Sequence, residues 1–169
     1  RLETKLKQDS SSVKHLLKIS SAYKKSKPDS SYCYAAKALS LSVKLNDPYL
    51  IARSSMENYN IIRGVAKPAV LIDTLNKLKE DPRIMASKRV MLTVIYELGL
   101  QFRKMASYDR SIKQLHQALD LAKEVKETSM IFNSYNSLAN TFSELGMVKH
   151  SKEDLMRALE FYDKAGEFM

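Results

Sequence analysis

Ile95 to Ala118 reads IYELGLQFRKMASYDRSIKQLHQA, and this stretch decides the fold. Ile95, Leu98, Gly99 and Phe102 recur at the spacing of one face of an α-helix. A polar turn, Ala106-Ser107-Tyr108-Asp109, separates them from a second helical face made of Ser111, Leu115, Ala118, Leu119 and Ala122. Gly99 has a mechanical reason to be glycine. Without a Cβ it lets a neighbouring helix come close, against a helix-propensity penalty of about 1 kcal/mol.

The pattern returns on either side. Forty residues on, Tyr135, Leu138, Ala139 and Phe142 stand in the places of Ile95, Leu98, Gly99 and Phe102. Gly146, Ser151, Leu155 and Ala158 then stand for Ala106, Ser111, Leu115 and Ala118. Forty residues back come Tyr59, Ile62, Ala66, Leu71, Leu75 and Leu78, with Asn58 where a leucine is expected. One further step back reaches Ala38-Leu39, and the matching first helix, with Ile19 and Tyr23, sits one residue late. Four copies at a near-constant period mark a helical repeat array.

Capping chemistry sets the expected helix boundaries. Asp9-Ser10-Ser11-Ser12 reads as an N-cap before Val13, Leu16, Leu17 and Ser20, and Pro28-Asp29-Ser30 ends that helix and starts the next. Asp47-Pro48 stops and restarts the chain, with aspartate as cap and proline at the first helical position. Gly64 ends the third helix, Pro68 opens the fourth, and Asp81-Pro82 starts the long helix that carries Ile95 to Phe102. Thr128 caps the seventh helix, Gly146 separates it from the eighth, and the eighth ends near Gly166. The expected domain is therefore all-α over residues 10–169, with hairpins at about 10–46, 47–80, 81–127 and 128–166. Residues 1–9 form a leader or a short helix.

Ile95-x2-Leu98-Gly99-x2-Phe102 followed by Ser111-x3-Leu115 resembles the tetratricopeptide (TPR) repeat pattern, and so does the sixteen-residue step from Ile95 to Ser111. The period of about forty differs from the usual roughly 34, and no proline follows the second helix, which makes that helix about one and a half turns longer. This long-period type resembles repeats of bacterial signalling proteins. The opening from Leu2 to Ser20 and Pro28-Asp29-Ser30 resembles the N-terminal sensory segment of Bacteroides-type TPR histidine kinases and transcriptional regulators. The resemblance implies a right-handed α-α superhelix, a TPR-like solenoid of about four helical hairpins. It also implies a non-catalytic, protein- or peptide-binding role in signal transduction within two-component or transcription-regulating systems. The expected location is periplasmic, as part of a membrane-anchored regulator. A cytoplasmic, peptide-responsive adaptor is the alternative.

The chain's 169 residues carry 28 Lys and Arg against 19 Asp and Glu, a net charge of +9, unevenly spread. Residues 1–45 hold +7, whereas residues 130–169 hold −2. The basic third favours an acidic partner, and it is also an ordinary solvated surface in composition. Nucleic acid ranks last among partners, since no helix-turn-helix or RNA-binding motif accompanies the charge. No run of about 18 apolar residues exists to span a membrane. Gly64, Gly99, Gly146 and Gly166 are isolated, so there is no phosphate-binding loop. His15, His116 and His150 are scattered, and lone Cys33 has no histidine beside it in the sequence. Neither a cofactor, a metal nor a catalytic residue is implied.

In TPR arrays the first helix of each hairpin lines the inner groove. Projected residue by residue, the resemblance places Lys14, Ser21 and Lys24 there from the first copy and Arg53, Met56, Asn60 and Arg63 from the second. Tyr96, Leu100, Arg103 and Lys104 follow from the third, and Asn133, Asn136 and Asn140 from the fourth. The candidate peptide-binding set is Arg53, Asn60, Arg63, Tyr96, Arg103, Lys104, Asn133, Asn136 and Asn140. Asparagine both donates and accepts, so a row of them can hold an extended backbone. The arginines favour carboxylates. Leu17 and Met56 depart from the carboxylate clamp of chaperone-binding TPR domains. Phe168 and Met169 are expected to be exposed, and the solenoid ends offer surfaces for self-association.

Overall fold

The computed structural model describes residues 9–64 and 66–168. The leader expected over 1–9, apart from Asp9, and Met169 lie outside them. Among the described residues the regular structure is entirely helical: α1 (Ser10–Tyr23), α2 (Pro28–Lys44), α3 (Pro48–Ile62), α4 (Pro68–Glu80), α5 (Pro82–Met85), α6 (Lys88–Lys104), α7 (Tyr108–Glu124), α8 (Thr128–Lys149) and α9 (Lys152–Gly166). The chain forms two compact units. Glu80–Val90 joins the residues up to Lys67 in the first, while Pro68–Lys79 and the residues from Met91 onward make the second. α3 and α4, consecutive in the chain, thus fall in different units.

Local chemistry starts these helices where the sequence predicts. Asp9 accepts the Ser12 N–H at 2.8 Å and Asp47 accepts the Leu50 N–H at 3.1 Å. Pro48, Pro28 and Pro68 begin their helices. Asp81 accepts the Arg83 N–H at 2.9 Å, but the helix it caps is the four-residue α5, and α6 begins separately at Lys88. The Arg83 side chain, hydrogen-bonded to Asp81, holds that carboxyl below its ordinary pKa. The cap is therefore fully charged at neutral pH and weakens only as pH falls through the lowered value. At the start of α8, Glu127 occupies the cap position and Thr128 is the first helical residue.

The turns differ more from expectation. Helices α2, α6, α7 and α8 end on a residue in the left-handed region: Asn46 (φ 51°), Ala106 (φ 53°), Lys126 (φ 55°) and His150 (φ 52°), and no described glycine is there. Each turn closes with the six-to-one bond of a Schellman motif, from Asp47 N–H to Ser42 O, Ser107 to Phe102, Glu127 to Ala122 and Ser151 to Gly146. Gly146 is thus inside α8, which runs on to Lys149, and it does not separate the last two helices. Its role is close approach. A Cβ at Gly146 would lie 2.8 Å from Leu155 Cγ and 3.0 Å from the Leu155 backbone nitrogen. Because a left-handed L-residue is strained by roughly 1–2 kcal/mol, Ala106→Gly should raise stability by about 1 kcal/mol, read as a higher urea midpoint at unchanged slope. An unchanged or lowered midpoint would mean that the Schellman turn carries no strain to relieve.

Each unit has its own core. In the first, Val13, Leu16, Leu17, Ala38 and Leu50 pack together with Tyr34, Leu41 and Leu45 against them. Met56 is buried as well, at 8% exposure, and so does not face a ligand as projected. Serines sit where α1, α2 and α3 cross: Ser20 and Ser31 exchange side-chain-to-carbonyl bonds, and the Ser42 and Ser54 hydroxyls lie 3.0 Å apart. In the second unit, Leu92, Ile95, Leu115, Ala118, Leu119 and Ala122 pack with Ile131, Tyr135, Leu138 and Phe142 of α8 and Ala158 and Ala165 of α9. Gly99 meets Leu115, whose Cγ would lie 2.8 Å from an added Cβ, as the close-approach reading requires. Phe168 is partly buried in this core, its ring tilted against that of Tyr135 with centroids 5.8 Å apart, and is not exposed as expected.

Candidate functional site

The nine projected groove residues divide between the units: Arg53, Asn60 and Arg63 in the first, the other six in the second. In the first unit, α1 and α3 lie side by side and leave a cavity of about 200 Å³ lined by Leu17, Lys18 and Ser21 of α1 and Arg53 and Glu57 of α3. The spacing explains who is present. Leu17, Lys18 and Ser21 fall within one helical turn, and Glu57 follows Arg53 at i+4, so each set shares a face. Lys18 and Arg53 are exposed cations, while Glu57 is half-buried. Glu57 Oε1 is shielded from solvent and has no hydrogen-bond partner among the described residues.

That arrangement has chemical content. Two cations favour a carboxylate, and the unpaired Glu57 oxygen calls for a donor, because leaving a buried acceptor unsatisfied costs about 1–3 kcal/mol. A cavity of 200 Å³ suits one side chain, since small-molecule pockets run to about 300–1,000 Å³. Sequence projection found Arg53 and Ser21 but missed Lys18 and Glu57. Both lie one turn from projected positions, Lys14 and Arg53, and their i+4 spacing was the available signal.

In the second unit the projected residues are largely engaged with the protein itself. The Tyr96 hydroxyl lies 2.9 Å from Ser137 Oγ, tying α6 to α8. Arg103 pairs with Glu144 at 3.4 Å, and Asn140 Oδ1 accepts the Tyr162 hydroxyl at 2.7 Å. Lys104 is exposed, and Asn133 and Asn136 are half-buried on α8. A second cavity, about 430 Å³, is lined by Ala106, Ser107, Tyr108, Asp109, Arg110, Leu145 and Lys149, none of which was projected. Like the α1–α3 cavity, it holds two cations and one carboxylate, Arg110 and Lys149 with Asp109. Among the described residues, no group of three or more His, Cys, Asp or Glu is placed to hold a metal, and no helix is long and apolar enough to cross a membrane.

Solved structures decide the architecture. The chain superposes on a Signal Transduction ATPase with Numerous Domains from Pyrococcus horikoshii that carries a tetratricopeptide repeat sensor, with a TM-score of 0.72 at 19% identity over 93% of this chain. The fold is tetratricopeptide-like. Aspartyl phosphate phosphatase F from Bacillus subtilis gives a TM-score of 0.74 at 15% identity over 92% of the chain, and TPR-like repeats of a Podosopora anserina kinesin light chain give 0.61 at 12% over 94%. The chain spans only 24% and 41% of the first two proteins and 78% of the third. No family model matches the sequence, and no curated protein matches it.

Proposed function

We propose that this chain is a non-catalytic scaffold that binds a protein or peptide bearing an acidic side chain, as the sensory or interaction domain of a bacterial signal-transduction regulator. The α1–α3 cavity carries the reading. A ligand carboxylate would sit between Lys18 and Arg53 with the Ser21 hydroxyl near it, and the ligand's own backbone N–H would meet Glu57 Oε1. Asn60 and Arg63 extend this surface along α3, and Tyr96, Arg103, Lys104, Asn133, Asn136 and Asn140 form a separate candidate surface in the second unit. Two neighbours in fold, named as a signal-transduction ATPase with a TPR sensor and an aspartyl phosphate phosphatase, support a signalling context. Periplasmic placement within a membrane-anchored regulator belongs to the same proposal.

Labelled peptides of alanine and serine carrying one glutamate, compared with the same peptides carrying glutamine, test it by fluorescence anisotropy. The glutamate series should bind about tenfold more tightly, and Arg53→Glu should remove that preference. Equal affinity for the two series would sink the proposal. Preference for a single-stranded oligonucleotide, with affinity falling steeply with salt, would move the function to nucleic acid instead.

A further inference from the structure

The two cavities carry the same charges, but their carboxylates differ in access to water. Asp109 is exposed, so solvent can satisfy it. Glu57 of the α1–α3 cavity is half-buried, and its Oε1 is shielded from solvent with no hydrogen-bond partner among the described residues. Arg53 stands one helical turn before Glu57 on α3, at the spacing that favours an ion pair, yet Oε1 takes no bond from it. Lys18 faces the same cavity from α1, and buried Leu17 gives it an apolar wall. The cavity therefore offers two exposed cations and, apart from them, one carboxylate oxygen that neither water nor the protein satisfies.

A carboxylate withdrawn from water is best satisfied by a charged donor. Hydrogen bonds to ionised partners contribute about 1.5–3 kcal/mol, against about 0.5–1.5 kcal/mol for neutral ones. The cavity thus calls for an ammonium at Glu57 and a carboxylate at Lys18 and Arg53, both within about 200 Å³. A peptide carries that pair close together on its first residue, when that residue is acidic and its amino group is free. A lysine in last place also carries both charges, but at the two ends of a long side chain whose ordering costs about 1.5–2 kcal/mol. The volume favours a chain end as well, since a residue from mid-chain must carry backbone out of the cavity on both sides. Resting on the acidic-ligand reading above, we propose that the α1–α3 cavity recognises the free N-terminus of a peptide whose first residue is aspartate or glutamate. The α-ammonium donates to Glu57 Oε1, and the side-chain carboxylate accepts from Lys18 and Arg53.

Fluorescence anisotropy tests this with alanine–serine peptides labelled at the C-terminus and beginning with glutamate or glutamine, each with its amino group free or acetylated. The free glutamate peptide should bind about tenfold more tightly than its acetylated form. Acetylation changes only the peptide, so this result does not depend on how any variant folds. Glu57→Gln should shrink the ratio to about twofold or less and leave the preference for glutamate over glutamine in place, with a circular dichroism melt like the parent's. Equal affinity of free and acetylated peptides that both still prefer glutamate overturns the proposal and leaves the acidic-ligand reading standing. No preference for glutamate in either form removes both. A tenfold ratio that survives Glu57→Gln also overturns the proposal, because the ammonium then finds its partner elsewhere. So does displacement of the labelled peptide by an acetylated peptide ending in lysine at equal concentration, which would assign the cavity to a chain's last residue.

Discussion

Gly99→Val should destabilise the protein by about 3 kcal/mol. A Cβ at this position would lie 2.8 Å from both Cγ and Cδ2 of Leu115 and 3.4 Å from its backbone nitrogen. Leu115 is fully buried in the second unit's core, so its side chain has nowhere to swing. A branched residue adds two further carbons to a gap that cannot hold the first. The crossing must then widen, which strains the bond that the Ser111 hydroxyl donates to the Gly99 carbonyl at 2.9 Å. Gly99→Ala separates the two effects at work. Helix propensity would favour alanine by about 1 kcal/mol, and overpacking opposes it by about 1–3 kcal/mol, so alanine should be destabilising by about 1 kcal/mol. Urea unfolding reads both. A stabilised Gly99→Ala would show that close packing is not what glycine serves here.

Ser31→Leu should cost a similar amount, about 3 kcal/mol, through a different mechanism in the other unit. Ser31 is fully buried where α1 meets α2. Its hydroxyl donates to the Ser20 carbonyl at 2.8 Å, and the Ser20 hydroxyl donates to the Ser31 carbonyl at 3.0 Å. Leucine removes one of these reciprocal bonds and forces a branched side chain between two helix backbones. The double variant Ser20→Ala/Ser31→Ala is the control. It removes both hydroxyls together and leaves each carbonyl in its own helix, so the cost should fall to about 1 kcal/mol or less. If the double alanine variant loses as much as Ser31→Leu, the hydrogen bonds rather than the volume set the helix approach.

The candidate site was only partly legible. Arg53 and Ser21 follow from the repeat register, because a first-helix position not used by the core must face outward on an amphipathic helix. Met56 fails the same projection, since it is buried at 8% exposure. Glu57 could not be found that way. Its importance rests on an unpartnered buried oxygen, a property of three-dimensional surroundings and not of residue type.

The sequence by itself determined the helical class, the forty-residue repeat and the helix starts at Asp9, Pro28, Asp47-Pro48 and Pro68. Those signals are complete within a few residues, since a cap's acceptor and donor lie three positions apart. Gly99 was legible too, because the repeat supplies the leucine that it must accommodate. Tertiary structure decided the rest. Gly146 reads as a helix stop, yet α8 runs through it, and the left-handed turn falls on His150, because packing of Leu155 against Gly146 outweighs the local preference for glycine in the turn. The same pattern of leucines is buried on α7 and open on α9. α8 runs past Gly146 to Lys149, so α9 starts 44 residues after α7 and its leucines leave the forty-residue register, a shift that their own sequence does not record.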